Sequence, residues 1–337
     1  MERKGVNYDV GIEFSSYYLS RPVFDAVTAH RELEIIKNDL HCNAVRISGT
    51  DPGRLMVAAE DALEQGLEVW LSPHLPDKSE QETLNHMITC ATMAEELRQR
   101  WPDLVFILGC ELTLFMQGIL EGDDFFARMN NPGLIENIKT GMPGKKLNVF
   151  LTNASEAIRK VFHGKVTYAS APLEFTVDWS LFDFVCIDHY RETRIKDSYA
   201  ERLKPYFMHD KPVIVTEVGC CTYQGADQAG ARGFMIVEMT DQGRLNGDYV
   251  RDEGTQAREL TDLLAILDGA GVNGVFVFTF VAPALAYNAN PRYDLDMASF
   301  SLVKSYADGH GTTYPDMPWE PKESFKAVAD YYANGRK

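Results

Sequence analysis

The sequence predicts an α/β fold of the (β/α)8 TIM-barrel class, in a single domain that spans residues 1–337. Three observations lead to this prediction. Short apolar runs alternate with amphipathic stretches, and the alternation repeats eight times along the chain. The runs are continuously hydrophobic, as parallel strands buried on both faces should be. The length of 337 residues also suits a barrel, which typically takes about 250 residues before insertions.

The strands are predicted from the apolar runs, taken in chain order. They cover residues 9–14, 43–47, 67–72, 104–109, 165–169, 183–187, 212–216 and 274–280. A doubly wound open sheet is the competing architecture for such a pattern. No Gly-rich dinucleotide-binding turn follows the first run, so the barrel is favoured.

The helices are predicted from apolar residues that recur with i, i+3 and i+4 spacing. They cover residues 31–40, 54–65, 80–100, 148–162, 197–207, 256–267 and 321–332. Pro321 suits the first turn of the last helix, where a missing N–H costs nothing. The fifth unit is the weakest, since residues 173–181 leave room only for a short helix.

Three connections are longer than the few residues that usually join a strand to its helix. They follow strands four, seven and eight, and cover residues 112–146, 218–252 and 281–320. They contain aromatic, glycine and charged residues rather than low-complexity sequence, so they are interpreted as ordered. All three leave the carboxyl-terminal face of the barrel, where active sites of this fold lie.

Charge and hydrophobicity argue against a nucleic-acid partner, a membrane span and a signal peptide. The chain has 33 Lys+Arg against 49 Asp+Glu and a net charge of −16, which argues against binding a nucleic-acid backbone. No apolar stretch approaches the roughly 18 to 20 residues that a membrane span requires. The first nine residues are not followed by the apolar segment of a signal peptide.

The cysteines indicate a reducing compartment. They are scattered, form no C-x-x-C pair, and several lie inside apolar runs, as buried free thiols do. The adjacent Cys220 and Cys221 are interpreted as two free thiols, because neighbouring cysteines rarely bridge without strain. A cytoplasmic location is therefore predicted.

Chemically active side chains follow the predicted strands and should share one bowl at the carboxyl-terminal face. The candidates at these strand ends are Glu13, Arg46, His74, Glu111, Glu174, Asp188, His189, Tyr190, Glu217, Thr279 and Phe280. Tyr168, near the end of strand five, is a further candidate. Charged side chains at the ends of buried strands are expected either to be paired or to serve a function, so this set predicts a catalytic site.

Two glutamates carry the strongest signal. Glu111 follows strand four in Gly109-Cys-Glu-Leu-Thr113, and Glu217 ends strand seven in Val215-Thr-Glu-Val-Gly219. With Arg46 after strand two and Tyr190 after strand six, the pattern resembles the clan A glycoside hydrolases, which are retaining barrels. The resemblance extends over all eight units in order.

That resemblance implies roles for the candidates. Glu111 would be the acid/base, Glu217 the nucleophile, Tyr190 the hydroxyl that orients Glu217, and Arg46 its support. The substrate-binding set that follows contains Glu13, Arg46, His74, Cys110, Tyr168, Glu174, His189, Tyr190 and Phe280. The expected ligand is a small carbohydrate-like molecule, and no cofactor or metal is expected.

The chemistry is also reasonable without the family. Cleaving an acetal needs a protonated carboxyl that donates to the leaving oxygen and an ionised carboxylate opposite it. A buried glutamate beside another negative charge keeps its proton, so Glu111 and Glu217 would take opposite roles.

The sequence departs from the clan A pattern at two positions. Cys110 stands where the clan usually has an asparagine that binds the sugar 2-hydroxyl, and a thiol is a poor hydrogen-bonding group. Thr279-Phe280 stands where the clan usually has a tryptophan after strand eight. Both changes point away from an ordinary hexopyranoside. Over its whole length the chain also resembles actinobacterial proteins that carry the label of abortive infection proteins.

Two other functions stay open at this point. Glu111, Asp188, His189 and Glu217 around one bowl would suit Mg²⁺ or Mn²⁺, as in sugar isomerase barrels, although Arg46 would repel a cation. Alternatively, the barrel binds a glycan or partner without turning it over. A binding module has no need of two opposed carboxylates, so a glycosidase is favoured.

Overall fold

The computed structural model describes residues 1–15, 18–238 and 243–335. Eight parallel strands form a closed barrel with helices around it, so the predicted TIM-barrel fold is confirmed. The barrel strands are β1 (Arg3–Gly11), β2 (Ala44–Gly49), β3 (Glu68–Pro73), β4 (Val105–Cys110), β5 (Lys165–Ser170), β6 (Val185–Asp188), β7 (Val213–Val218) and β8 (Gly274–Val277).

The barrel closes between its first and last strands. Each strand pairs with its neighbours in chain order, and β1 pairs with both β2 and β8. Gly5 of β1 lies opposite Phe276 of β8, and a Cβ at this position would lie 2.4 Å from the Phe276 ring. The Tyr332 hydroxyl near the chain end also donates to the Gly5 carbonyl at 2.9 Å. A glycine is therefore required for the closure.

In the described part of the chain, six long α-helices cover the barrel. They are α1 (Ala26–Asn38), α2 (Pro52–Glu64), α3 (Glu80–Arg100), α4 (Met142–Ile158), α5 (Glu253–Ala270) and α6 (Glu323–Asn334). Their starts follow capping rules: Asp25 and Asp51 accept hydrogen bonds from first-turn amides, and Ser79 forms a capping box with Glu82. Units five and six have only 3₁₀ helices, Trp179–Leu181, Thr193–Ser198 and Glu201–His209.

Several predicted boundaries were wrong, among them the start of helix α4, which lies at Met142 rather than at residue 148. Strand β1 begins at Arg3 rather than at residue 9, because its polar Arg3 and Asn7 are hydrogen-bonded rather than exposed. Strand β8 ends at Val277 rather than at residue 280. Pro321 does not begin a helix: it lies in the hairpin strand Trp319–Pro321, opposite Val303, and α6 begins at Glu323.

Aromatic side chains fill the barrel interior. The ring of Trp70 lies 4.8 Å from that of Phe184 and 5.3 Å from that of Phe276, measured between centroids. All three side chains are buried. The barrel is therefore a packed core and not a channel, and a ligand has access only from an end.

The long connections are built from short elements. The loop after β4 carries the helices Leu112–Phe115, Phe125–Met129 and Leu134–Lys139. The loop after β7 carries the 3₁₀ helices Ala226–Gln228 and Gly230–Ile236, and the loop after β8 carries Pro291–Tyr293, Leu295–Ala298 and the hairpin of Val303–Ser305 with Trp319–Pro321. A hairpin of Glu13–Ser15 with Tyr18–Leu19 follows β1.

A buried arginine anchors the loop after β4. Arg128 is fully buried and donates to the carbonyls of Leu114 and Gly122 and to the carboxylate of Asp77. It thereby ties two turns of this loop to the connection after β3. None of the helices in the described parts of the chain is long and apolar enough to span a membrane.

Candidate active site

Glu217, the second-last residue of β7, is held by hydrogen bonds at both of its carboxylate oxygens. Arg46 Nη1 donates to its Oε1 at 2.8 Å, and the Tyr190 hydroxyl donates to its Oε2 at 2.9 Å. The Cys110 thiol lies 3.7 Å from the same Oε1. Each oxygen therefore accepts a hydrogen bond, which fixes the plane of the carboxylate. The side chain keeps 15% of its exposed area, so a ligand in the bowl can reach it.

Arg46 supplies the positive charge of the site. It lies inside β2 and is 1% exposed, so its guanidinium needs partners within the barrel. Besides Glu217 it donates to the Thr216 carbonyl at 3.3 Å and to Ser72 Oγ at 3.2 Å. Its Nη1 is also 3.9 Å from Asp188 Oδ1. One cation thus serves two carboxyl groups.

Asp188 is a third carboxyl of the site. It was predicted as a strand-end candidate but was not part of the predicted substrate-binding set. It is fully buried; Thr216 Oγ1 donates to Oδ1 at 2.7 Å and the Cys110 thiol to Oδ2 at 3.3 Å. Burial and the charge of Glu217 raise the pKa of Asp188 to about 8, against the opposing effect of Arg46. Asp188 therefore keeps its proton at neutral pH.

This proton makes stability depend on pH. An unfolded aspartate ionises near pH 3.9, so between about pH 4 and pH 8 the folded state binds more protons and stability falls as pH rises. Asp188→Asn cannot titrate. From pH 5 to pH 8 we expect this variant to lose about 1 to 4 kcal/mol less unfolding free energy than the wild type, at about 1.4 kcal/mol per pH unit.

Urea unfolding at several pH values measures the difference, with Asp316→Asn as the control at an exposed position. The control should follow the wild-type pH dependence. Parallel curves for Asp188→Asn and the wild type would show that Asp188 is already ionised in the folded protein.

Glu111 follows β4 and adopts a left-handed backbone, with φ 45° and ψ 42°. Its own N–H donates to the Ala169 carbonyl at 2.9 Å. Burial raises the pKa of Glu111 well above its ordinary value, and the neighbouring carboxyl groups of Asp188, Glu217 and Glu174 raise it further. No side chain in the described part of the chain hydrogen-bonds its carboxyl, which is half-buried. Glu111 is therefore a protonated acid that faces the bowl without a fixed protein partner.

Tyr168 and Glu174 do not line the bowl, contrary to the prediction. Both are buried, and the Tyr168 hydroxyl donates to Glu174 at 2.8 Å while accepting from the Leu112 amide at 2.8 Å. Glu174 also accepts from the amides of Thr113 at 2.8 Å and Ala171 at 2.9 Å. The polar atoms of both side chains are therefore occupied by hydrogen bonds within the protein.

His74 lies beside the site as a neutral ring. Burial and the charge of Arg46 lower the pKa of His74 to about 3. The ring meets the edge of Phe115 at 5.2 Å, and the two residues line a small cavity together with Cys110. Its Nδ1 has no hydrogen-bond partner among the residues that the structure describes. His74 therefore lies close to Arg46 and Cys110, and its part in substrate binding stays a prediction.

Two other candidates lie elsewhere. His189 stacks on the Tyr199 ring at 4.1 Å, and its Nε2 is 3.0 Å from the Tyr199 carbonyl. Successive side chains of a strand alternate in direction, so His189 points away when Asp188 and Tyr190 point inward. Glu13 is exposed on the hairpin after β1, because β1 ends at Gly11.

The aromatic residue at the end of β8 is Phe278 and not Phe280. Phe280 is fully buried against Tyr8 and Trp319, outside the bowl. Phe278 is half-buried and packs on Phe300 at 5.8 Å, and Phe300 in turn packs on Tyr190 at 5.5 Å. The apolar run of the sequence extends through both phenylalanines and does not reveal where the strand ends.

The metal alternative can be tested on the same geometry. Cys110, Asp188 and Glu217 offer ligand atoms within 4.8 Å of one another, in the described part of the chain. Arg46 already contacts Glu217 at 2.8 Å and approaches Asp188 at 3.9 Å. Its charge opposes a cation at this point, so these residues do not fit a resident metal ion.

Comparisons with known proteins agree on the architecture. No protein-family model and no curated protein matches the chain, so the resemblance to abortive infection proteins finds no support. A solved GH113 β-1,4-mannanase has a TM-score of 0.63 at 13% identity, with 99% of each chain covered. The GH113 β-mannanase AaManA from Alicyclobacillus acidocaldarius has a TM-score of 0.59 at 14% identity, with 98% of this chain and 97% of that chain covered.

A larger protein contains the same barrel. Bacteroides uniformis β-glucuronidase 2 has a TM-score of 0.60 at 13% identity, covering all of this chain (100%) and 36% of that chain. These solved structures are clan A glycoside hydrolases, as the resemblance in the sequence implies. At such low identities, the similarity establishes the shared barrel fold.

Proposed function

We propose that the protein is a retaining glycoside hydrolase, with Glu217 as the nucleophile and Glu111 as the acid/base. The observation that carries this proposal is the contrast between the two carboxyls. Arg46 and the Tyr190 hydroxyl both donate to Glu217, whereas Glu111 keeps its proton and has no fixed partner. Two carboxyls with opposite tasks are what glycoside cleavage requires.

The reaction proceeds in two displacements. Glu111 donates its proton to the glycosidic oxygen as Glu217 attacks the anomeric carbon, so the bond to the leaving group breaks and a glycosyl ester forms. Glu111, now ionised, removes a proton from a water molecule, which attacks the anomeric carbon. Glu217 leaves as a carboxylate, and the sugar is released with its original configuration. Tyr190 and Arg46 hold the oxygens of Glu217 throughout.

The substrate is proposed as a β-linked sugar. The solved proteins with the same barrel include two β-mannanases and, at a TM-score of 0.51 and 13% identity, Thermotoga maritima Cel5A in complex with cellobiose, which makes β-mannosides and β-glucosides the first compounds to test. The cysteines in the described structure are free and buried, which suits a reducing compartment. We therefore also propose a cytoplasmic location and a small substrate.

A mechanism-based label tests the function. A 2-deoxy-2-fluoro-β-mannosyl fluoride, and its gluco counterpart, should form a stable ester, because the 2-fluoro group slows both displacements while the good fluoride leaving group lets the first one proceed. We expect intact-protein mass spectrometry to show one added fluorosugar, and peptide mapping to place it on Glu217.

Glu217→Gln should take up no label under the same conditions, while the exposed Glu201→Gln should be labelled like the wild type. A label on another residue would contradict the proposed nucleophile. Hydrolysis of a sugar substrate that stops on chelation, without any labelling, would favour the metal-dependent alternative.

A further inference from the structure

The backbone of Glu111 has a left-handed conformation, which is unfavourable for a glutamate. Its φ of 45° lies in the left-handed region, which side chains other than glycine and asparagine disfavour. Such backbones persist only where the surrounding structure holds them. Because Glu111 makes no side-chain hydrogen bond within the described residues, its carboxyl is aimed by its backbone alone.

Two residues of the fifth unit hold the segment that follows. The Leu112 amide donates to the Tyr168 hydroxyl at 2.8 Å, and the Thr113 amide donates to Glu174 Oε1 at 2.8 Å. The Tyr168 hydroxyl donates in turn to Glu174, which closes a triangle of hydrogen bonds on this turn. The two amides immediately after Glu111 are therefore both fixed by side chains from outside their own loop.

Tyr168 and Glu174 are themselves well supported. The Ala171 amide donates to Glu174 Oε2 at 2.9 Å, and the Tyr168 ring stacks on Phe182 at 6.3 Å. Tyr168 is 0% exposed and Glu174 is 3% exposed, so neither can touch a molecule in the bowl. Their effect on a reaction must pass through Glu111.

We propose that Tyr168 and Glu174 are positioning residues for Glu111: they hold the left-handed turn that aims its carboxyl at the leaving group. This inference rests on the proposed function, because it assigns the turn a role in acid catalysis. The charge of Glu174 acts in the same direction, since it also helps to keep Glu111 protonated.

Two substrates with different leaving groups distinguish a loss of Glu111 positioning from a general loss of active-site structure. Phenyl β-D-mannoside needs a proton on its leaving oxygen, whereas 2,4-dinitrophenyl β-D-mannoside leaves readily as an anion. For Tyr168→Phe and Glu174→Gln we expect kcat/KM on the phenyl substrate to fall about 10- to 100-fold, a part of the roughly 10²- to 10⁴-fold that a general acid contributes. On the dinitrophenyl substrate, we expect a fall of less than about 3-fold, because protonation contributes little there.

Tyr332→Phe is the matched control. It removes another buried tyrosine hydroxyl that bonds the backbone, but at Gly5, away from Glu111. We expect it to leave both kcat/KM values unchanged. Equal losses on the two substrates, or no loss on either, would overturn the positioning role. All variants are assayed below their measured Tm values.

A second readout covers the case in which the wild type hydrolyses neither mannoside nor the matching glucosides. That result would count against the proposed function, and hydrogen exchange then tests the turn itself. We expect the amides of Leu112 and Thr113 to be protected in the wild type and to exchange at least 10-fold faster in Tyr168→Phe, with little change in Tyr332→Phe. Unchanged exchange in Tyr168→Phe would overturn the inference.

Discussion

Replacing Glu217 by glutamine is expected to lower kcat/KM by on the order of 10⁴-fold or more, as removal of a covalent nucleophile does in other enzymes. The amide keeps the shape of the side chain but cannot attack the anomeric carbon. The hydrogen bonds from Arg46 and Tyr190, at 2.8 and 2.9 Å, orient a charge that the amide lacks. The loss should therefore be chemical rather than structural.

Stability distinguishes these causes. Removing the charge of Glu217 also lowers the pKa of Asp188, so Asp188 can ionise and pair with Arg46 at 3.9 Å. We therefore expect the urea midpoint of Glu217→Gln to stay close to that of the wild type. Glu201→Gln, with a side chain that is 62% exposed, controls for the loss of any glutamate and should keep full activity. Residual activity within 10-fold of the wild type would remove Glu217 from the role of nucleophile.

Replacing Arg46 by methionine is expected to destabilise the fold by about 3 to 5 kcal/mol, the cost of leaving buried charge unpaired. Methionine has a similar length, so the cavity is small and the lost charge dominates. Glu217 and Asp188 would then face each other without a cation. Because Asp188 ionises more fully as pH rises, the destabilisation should be larger at pH 8 than at pH 5.

Urea unfolding of three variants, each compared with the wild type, tests this prediction. Arg100→Met removes an arginine that is 56% exposed and paired with Glu60 and Glu64, and it should cost less than about 1 kcal/mol. Adding Glu217→Gln to Arg46→Met should restore part of the lost stability, since the two residues are coupled. Additive effects in the double variant would contradict a shared charge site.

The sequence alone predicted the barrel, because strands buried on both faces leave continuous apolar runs. It missed the start of β1, where Asn7 has a polar side chain inside the barrel: its amide donates to the Thr216 carbonyl at 2.9 Å. A hydrophobic pattern cannot distinguish such a satisfied polar group from an exposed one. Residues at well-defined strand ends, Glu111, Glu217 and Tyr190, came together in one place.

The remaining errors also have physical causes. His189 follows Asp188 along the strand, so the period of two sends its ring the other way, to Tyr199. Phe280 was assigned to the bowl because its apolar run continues past the end of β8. The bonds of Tyr168 and Glu174 to the turn after Glu111 depend on two irregular loops meeting, and no spacing in the chain encodes that contact.

The closure of β1 against β8 has a consequence for the order of folding. The Tyr332 hydroxyl and the Gly5 carbonyl are 327 residues apart in the chain, and the β1–β8 ladder joins segments almost as distant. A nascent chain cannot complete this ladder before its final unit has left the ribosome. One edge of β1 therefore stays without its hydrogen-bonding partner strand during synthesis. Unpaired edges invite association with other chains, and contacts so distant in sequence form slowly. Yield in the cell is therefore expected to depend on the final unit, although its α6 helix lies outside the barrel.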